Sequence, residues 1–137
     1  MATNLILTSI LGAVQINTAN ANMDGSGTVA SIISGVGTNG SILTSITVKA
    51  TGSTTPGMVR IFLQDPEEHR FLFEEFPIPA NDINMSYGVI ESFSSTLTFP
   101  MGAFKLGPSW ALLASTQNAE QFNVIIEGYN QSYCPCE

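Results

Sequence analysis

Positive charge is almost missing from this chain. Lys49, Arg60, Arg70 and Lys105 are its four cations, set against eleven carboxylates for a net charge of −7. They are scattered rather than clustered. Holding a nucleic-acid backbone takes several Lys and Arg neutralising successive phosphates, so the sequence predicts no direct nucleic-acid binding. An acidic protein beside packaged nucleic acid would be repelled, which favours an outward-facing role within any larger particle. Histidine is reduced to His69, so any Ser-His-acid triad would have to be built on that residue. Cysteine is limited to Cys134 and Cys136, in a Cys-Pro-Cys run. The single intervening proline makes a mutual disulfide awkward, and a zinc site would need two further ligands. Solvated, reduced thiols on a tail are the expectation.

Long apolar runs and helical periodicity are also lacking. The opening MATNLILTSILGAV has the outline of a signal peptide, but its first cation is Lys49 and Thr8 and Ser9 interrupt its apolar run. It falls well short of the ~20 residues that span a bilayer, so it reads as a strand or an arm and the sequence predicts no membrane partner. No dozen residues repeat convincingly at a 3.6-residue period. There is no Gly-x-Ser-x-Gly elbow, P-loop, His-Glu-x-x-His or Rossmann fingerprint. The helix-borne motifs of most enzymes have no place here.

What the sequence has is alternation. In residues 41–63, Ile46, Val48 and Ala50 fall on one face and Thr47, Lys49 and Thr51 on the other. A turn of small residues and Pro56 follows, and Val59, Ile61 and Leu63 resume the pattern. Period two with β-branched residues between Gly and Pro marks half-buried antiparallel strands. Further strands are expected at 28–34, 71–78, 87–99, 110–116 and 121–129, with Pro77 and Pro79 near a sheet edge and Gly-rich turns such as 35–40 between them. Turn signals every ~8–12 residues predict an all-β fold, an antiparallel β-sandwich or jelly roll of about eight strands. The 137 residues make one domain: 1–20 an N-terminal arm or first strand, 21–130 the sandwich, 131–137 a C-terminal tail. Charged residues are 11% of the chain, under half the usual ~25%. A neutral polar surface suits protein contacts, because few ionised groups must be desolvated when a partner arrives.

Candidate chemistry is thin. His69 beside Glu67 and Glu68 is the one cluster with an enzymatic look, but it falls in a predicted hairpin turn, where nothing shields an acid-base pair. Glu74 and Glu75 are strand neighbours and point to opposite faces. Asp24-Gly-Ser-Gly has too few oxygen ligands for a calcium loop. Trp110, Tyr87, Tyr129 and Tyr133 could stack on sugars if exposed and clustered, although a lone Trp in a small β-domain is more often core. No catalytic, cofactor-binding or metal-binding residue is assigned, and the sequence predicts no enzyme and no cofactor.

Four ordered blocks carry a resemblance: ANANMDGSG at 19–27, VGTNG at 36–40, ITVKATGSTTPGMVRIFL at 46–63, and ASTQNAEQFNVIIEG at 114–128. With FEEFPIP between the last two, they resemble a group of small tailed-bacteriophage proteins found among virion structural genes. The resemblance runs from about residue 18 onward and includes no catalytic residues. It implies a virion component, a capsid cement or decoration protein that is small, β-rich and commonly trimeric. It would sit on the outer capsid surface against the major capsid protein, after synthesis in the host cytoplasm. Residues 4–17 and the Cys-Pro-Cys segment depart from the pattern. The competing expectation is a receptor- or carbohydrate-binding module of a fibre or baseplate.

Overall fold

Ile46, Val48 and Ala50 are buried, and the intervening Thr47 and Lys49 are only partly covered. The alternation read from the sequence is therefore the alternation of a strand with one face in a core. The computed structural model describes residues 2–34, 39–85 and 88–136, which hold eleven strands and no helix. They are β1 (Ala2–Ile16), β2 (Ala30–Ile33), β3 (Ser41–Ala50), β4 (Gly57–Gln64), β5 (Arg70–Ile78), β6 (Asn84–Met85), β7 (Gly88–Val89), β8 (Ser94–Thr98), β9 (Phe104–Leu106), β10 (Ala111–Thr116) and β11 (Phe122–Cys136). One sheet runs β1-β11-β3-β8, with β9 also on β3; the other runs β2-β10-β4-β5. Every ladder between strands is antiparallel. The chain is an antiparallel β-sandwich.

The core lies between the sheets. β3 and β11 contribute Ile46, Val48, Val124 and Ile126, against Val59, Ile61, Leu112 and Ala114 from β4 and β10. Fully burying one such Val, Ile or Leu contributes about 1.5–3 kcal/mol. At one open side Phe73, Phe99 and Phe104 close the gap, with Phe73 and Phe104 stacked at 4.8 Å.

The outer face of the β4–β10 sheet is also covered. Phe62, Leu113, Ala111, Ser115 and Arg60 point away from the main core yet are buried. The segment between β1 and β2 crosses this face. Asn20 donates its amide to the Thr116 carbonyl (2.8 Å), and its side chain donates to the Ser26 and Thr28 carbonyls. At the other end Arg70 donates to the Gly25 carbonyl (2.7 Å).

Four expectations are revised. The strands number eleven among the described residues rather than about eight, because β6 and β7 are too short to leave a pattern and β1 was left open as strand or arm; the short segment with Phe104 and Leu106 is β9. The long strand expected over 87–99 is broken. Ile90 N donates back to the Ile83 carbonyl, Phe93 accepts from Ala50 N (2.9 Å), and the ladder with β3 begins only at Ser94. Residues 131–136 are not a free tail but the end of β11, paired with β1 from Leu7↔Gln131 to Ala2↔Cys136. Residues 1–20 are not one unit either, since β1 ends at Ile16 and 17–20 open the covering loop. The turn expected at 35–40 falls largely on residues outside those described, as does Tyr87.

The β1–β11 ladder has an unbroken register from Ala2↔Cys136 to Ile16↔Phe122, whereas β3 follows β11 only as far as Ser41↔Asn130. Gln131 N still donates to the Gly40 carbonyl (3.1 Å), and beyond it the two strands continue alone. Strand and arm are thus one element: its second half closes the sandwich and its first half projects as a two-stranded ribbon.

Candidate functional site

Apolar side chains along β1, on the projecting ribbon and at the sandwich edge beside it, meet solvent. Leu5, Ile6, Leu7 and Leu11 are 48%, 44%, 41% and 69% exposed, and Tyr133 opposite Leu5 is 54% exposed. Strand parity places Leu5, Leu7, Ser9, Leu11 and Ala13 on the outer face of the sheet, beside Tyr133, Gln131, Tyr129, Glu127 and Ile125 of β11. The face is not flat. Where β11 shifts register between Glu127 and Gly128, a depression of about 360 Å³ opens, lined by Ser9, Ile10, Leu11, Thr44, Glu127, Gly128 and Tyr129. A second, of about 310 Å³, lies further along among Ala13, Val14, Gln15, Asn123 and Ile125. Gly128 is required at the shift: a Cβ there would run into the Ile42 carbonyl oxygen and lie 3.0 Å from Leu43 Cα. Glu127 is the one carboxylate among these lining residues, and there is no cation. The surface can therefore be covered by another protein at little desolvation cost.

The histidine cluster is a turn. His69 Nδ1 lies 2.9 Å from Asp65 Oδ2, and Asp65 Oδ1 accepts from the Glu67 and His69 amides (2.9 and 2.8 Å). Partial desolvation alone would raise the Asp65 carboxyl, but the His69 amide and ring, the His69 charge and the Glu67 amide outweigh it and lower its pKa. Asp65, not Glu67 or Glu68, is thus the close partner of His69. Glu68 takes a positive φ of 69° to complete the turn, and the His69 side chain is 64% exposed. An imidazole in open water cannot hold a proton in a fixed, shielded position for a substrate.

The remaining candidates are kept apart. Glu75 faces Arg60 at 3.4 Å, and Glu74 points to the opposite face. Asp24 accepts from the Ser26 hydroxyl (2.6 Å) and amide (3.0 Å), which lower its pKa; it orders the covering loop. Among the described residues no three His, Cys, Asp or Glu side chains are grouped to hold a metal ion. Trp110 is half-buried against the core and packs on Gly107. Tyr129 and Tyr133 share one face of β11, separated by about 13 Å along the strand. The backbone of Cys134 and Cys136 runs opposite Asn4 and Ala2; their side chains lie outside those described. Lys49 pairs with Glu91 at 3.4 Å and Arg70 binds Gln64 and Gly25, so the cations form no shared track.

Two features escaped the sequence reading. Arg60 was grouped with the scattered cations and no burial was read for it, yet it is buried, with Nε and Nη1 lacking a hydrogen-bond partner among the described residues. The signal was present: Phe62 and Leu113 at outward positions mark a covered face. The ribbon was missed because its second strand, residues 131–136, is polar and carries Pro135. No protein-family model matches the chain, and no curated protein is significantly similar to it.

Proposed function

We propose that the chain is a structural virion protein, a capsid cement or decoration subunit of a tailed bacteriophage. It binds the major capsid protein on the outer surface of the shell and has no catalytic role. The observation that carries this reading is the uncharged strand β1, with Leu5 and Leu7 on the projecting ribbon and Leu11 at the edge of the sandwich exposed on one face, beside Tyr133 of β11. Isolated surface leucines are ordinary; a row of them on a projecting element marks a contact surface. The resemblance of the blocks from residue 18 onward supplies the class of particle. The net charge of −7 and separated cations support an outward position, away from packaged nucleic acid. Among the described residues no helix is long and apolar enough to cross a membrane.

Binding to shells that lack the protein tests the proposal. The unaltered chain should co-sediment with such particles, and a chain carrying Leu5→Ser and Leu11→Ser should fold but fail to do so. Retained binding by a folded double variant, or no binding by the unaltered chain, overturns it. A carbohydrate-binding role is favoured by one observation alone, the shared face of Tyr129 and Tyr133. Under that reading Tyr133→Ala would abolish glycan binding while the leucine substitutions would not.

A further inference from the structure

Sheet edges in this protein are managed unequally. β5 carries Pro77, Glu74 and Glu75; β2 has four residues, and β8 and β9 have five and three. Short length, proline and charge are the devices that stop an edge from pairing with another chain. β1 has none of them. It is an edge strand of fifteen residues with no proline, no ionisable side chain and no break in its register against β11. Among the described residues no backbone hydrogen bond outside its ladder with β11 involves it.

The sequence of this edge is close to palindromic. Residues 5–11 read Leu-Ile-Leu-Thr-Ser-Ile-Leu. Antiparallel pairing of two copies about a two-fold axis at Thr8 sets Leu5 against Leu11, Ile6 against Ile10, Leu7 against Ser9 and Thr8 against itself. Paired residues in an antiparallel ladder share a face, so leucines meet on the outer side and isoleucines on the inner. A slip of two residues loses the isoleucine match, placing Ile6 on Thr8 or on Gly12. We propose that β1 is a self-pairing edge, joining two copies of this chain into one continuous sheet across the two outer faces.

Charge and area both bear on the occupant. A second copy also carries −7, so two copies meet most readily where neither presents a charged group, and β1 is such a place. Pairing over residues 3–13 gives a contact about 37 Å long, and with side chains on both faces about 370 Å² per copy. That is under the roughly 800 Å² per partner of a standard interface, so the dimer is concentration-dependent and exchanges readily. A two-fold pairing also replaces the three subunits that the resemblance implies.

The experiment uses the purified full chain and is independent of the shell reading, which is measured on particles. In a background with Cys134→Ser and Cys136→Ser, Thr8→Cys places a thiol on the axis opposite its own copy. Oxidation should link this variant into a dimer of doubled mass. Leu5→Cys or Leu11→Cys alone should stay largely unlinked, and a mixture of those two should link. Sedimentation of the unaltered chain at tens of micromolar should show a reversible shift toward doubled mass, lost on Thr8→Lys. A chain that stays monomeric at that concentration, one that forms trimers, or equal linking at all three positions overturns the proposal.

Discussion

Replacing Arg60 with Met should leave the protein as stable as before or make it more so, although the change removes an ion pair. Arg60 and Glu75 have side-chain exposures of 8% and 30%, with Nε and Oε2 3.4 Å apart. At an effective dielectric of about 20 that separation gives a gross attraction of about 5 kcal/mol. Desolvation costs several kcal/mol for a buried ion, and most of this falls on the guanidinium. Nε and Nη1 lack a hydrogen-bond partner, as does Ser115 Oγ on the facing strand. Each unmet buried group costs about 1–3 kcal/mol. The terms cancel to near zero, and Met keeps the apolar stem beside Phe62 while removing the unmet donors. Arg60→Met should therefore shift stability by about 0 to +2 kcal/mol. Glu75→Gln should cost about 1–2 kcal/mol, less than a fully buried pair because water reaches the carboxylate. The double variant should match Arg60→Met alone. Urea unfolding followed by fluorescence, read as a change in midpoint at constant slope, makes the measurement. A loss of more than about 2 kcal/mol for Arg60→Met would refute the argument, since the pair would then be worth more than its desolvation.

Two further outcomes follow from the geometry. Gly128→Ala should destabilise by about 1–3 kcal/mol, because its Cβ meets backbone that cannot yield as a side chain would; a thermal melt like that of the unaltered chain would count against the close approach. Asp24 and Asp65 have folded pKa values below their ordinary 3.8. Their contribution is complete above that value and is lost as pH falls through the lower folded values. Asp65→Asn should therefore lower stability near neutrality and flatten the fall in stability below about pH 4, so that the difference from the unaltered chain shrinks on acidification; an unchanged acid limb would contradict the Asp65 turn.

β3 was legible because one of its faces is buried and the other only partly covered, which imposes period two. β4 was read from Val59, Ile61 and Leu63 alone, and the burial of its other face at Arg60 and Phe62 left no mark on that pattern. The stretch 90–93 was misread because Phe93 and the apolar residues around it imitate a strand, while Lys49 bonds the Ser92 carbonyl (3.2 Å) and the chain leaves the ladder. Residues 131–136 left no pattern since neither face of the ribbon is in the core. Beyond Gln131, β11 is paired on one side alone, and this is why Pro135 is tolerated there. His69 was placed in its turn, but its partner Asp65 lies four residues back and was not singled out. Arg60 was hidden because burial of an outward face depends on a loop that crosses it, which local alternation does not encode.

The pairing of β1 with β11 also dictates when this protein can finish folding. The first strand finds its ladder partner only in the last, with Ala2 opposite Cys136. At ~5–20 residues per second, β1 leaves the ribosome roughly ten seconds before β11 has been made. During that interval an uncharged strand with the pattern Leu-Ile-Leu-Thr-Ser-Ile-Leu has no native partner, while nascent chains on neighbouring ribosomes expose the same segment. Closure therefore waits until β11 has been made, must close a loop of more than a hundred residues, and is exposed to competition from intermolecular pairing. The edge that suits a mature protein to its neighbours is, during synthesis, the segment most in need of a chaperone.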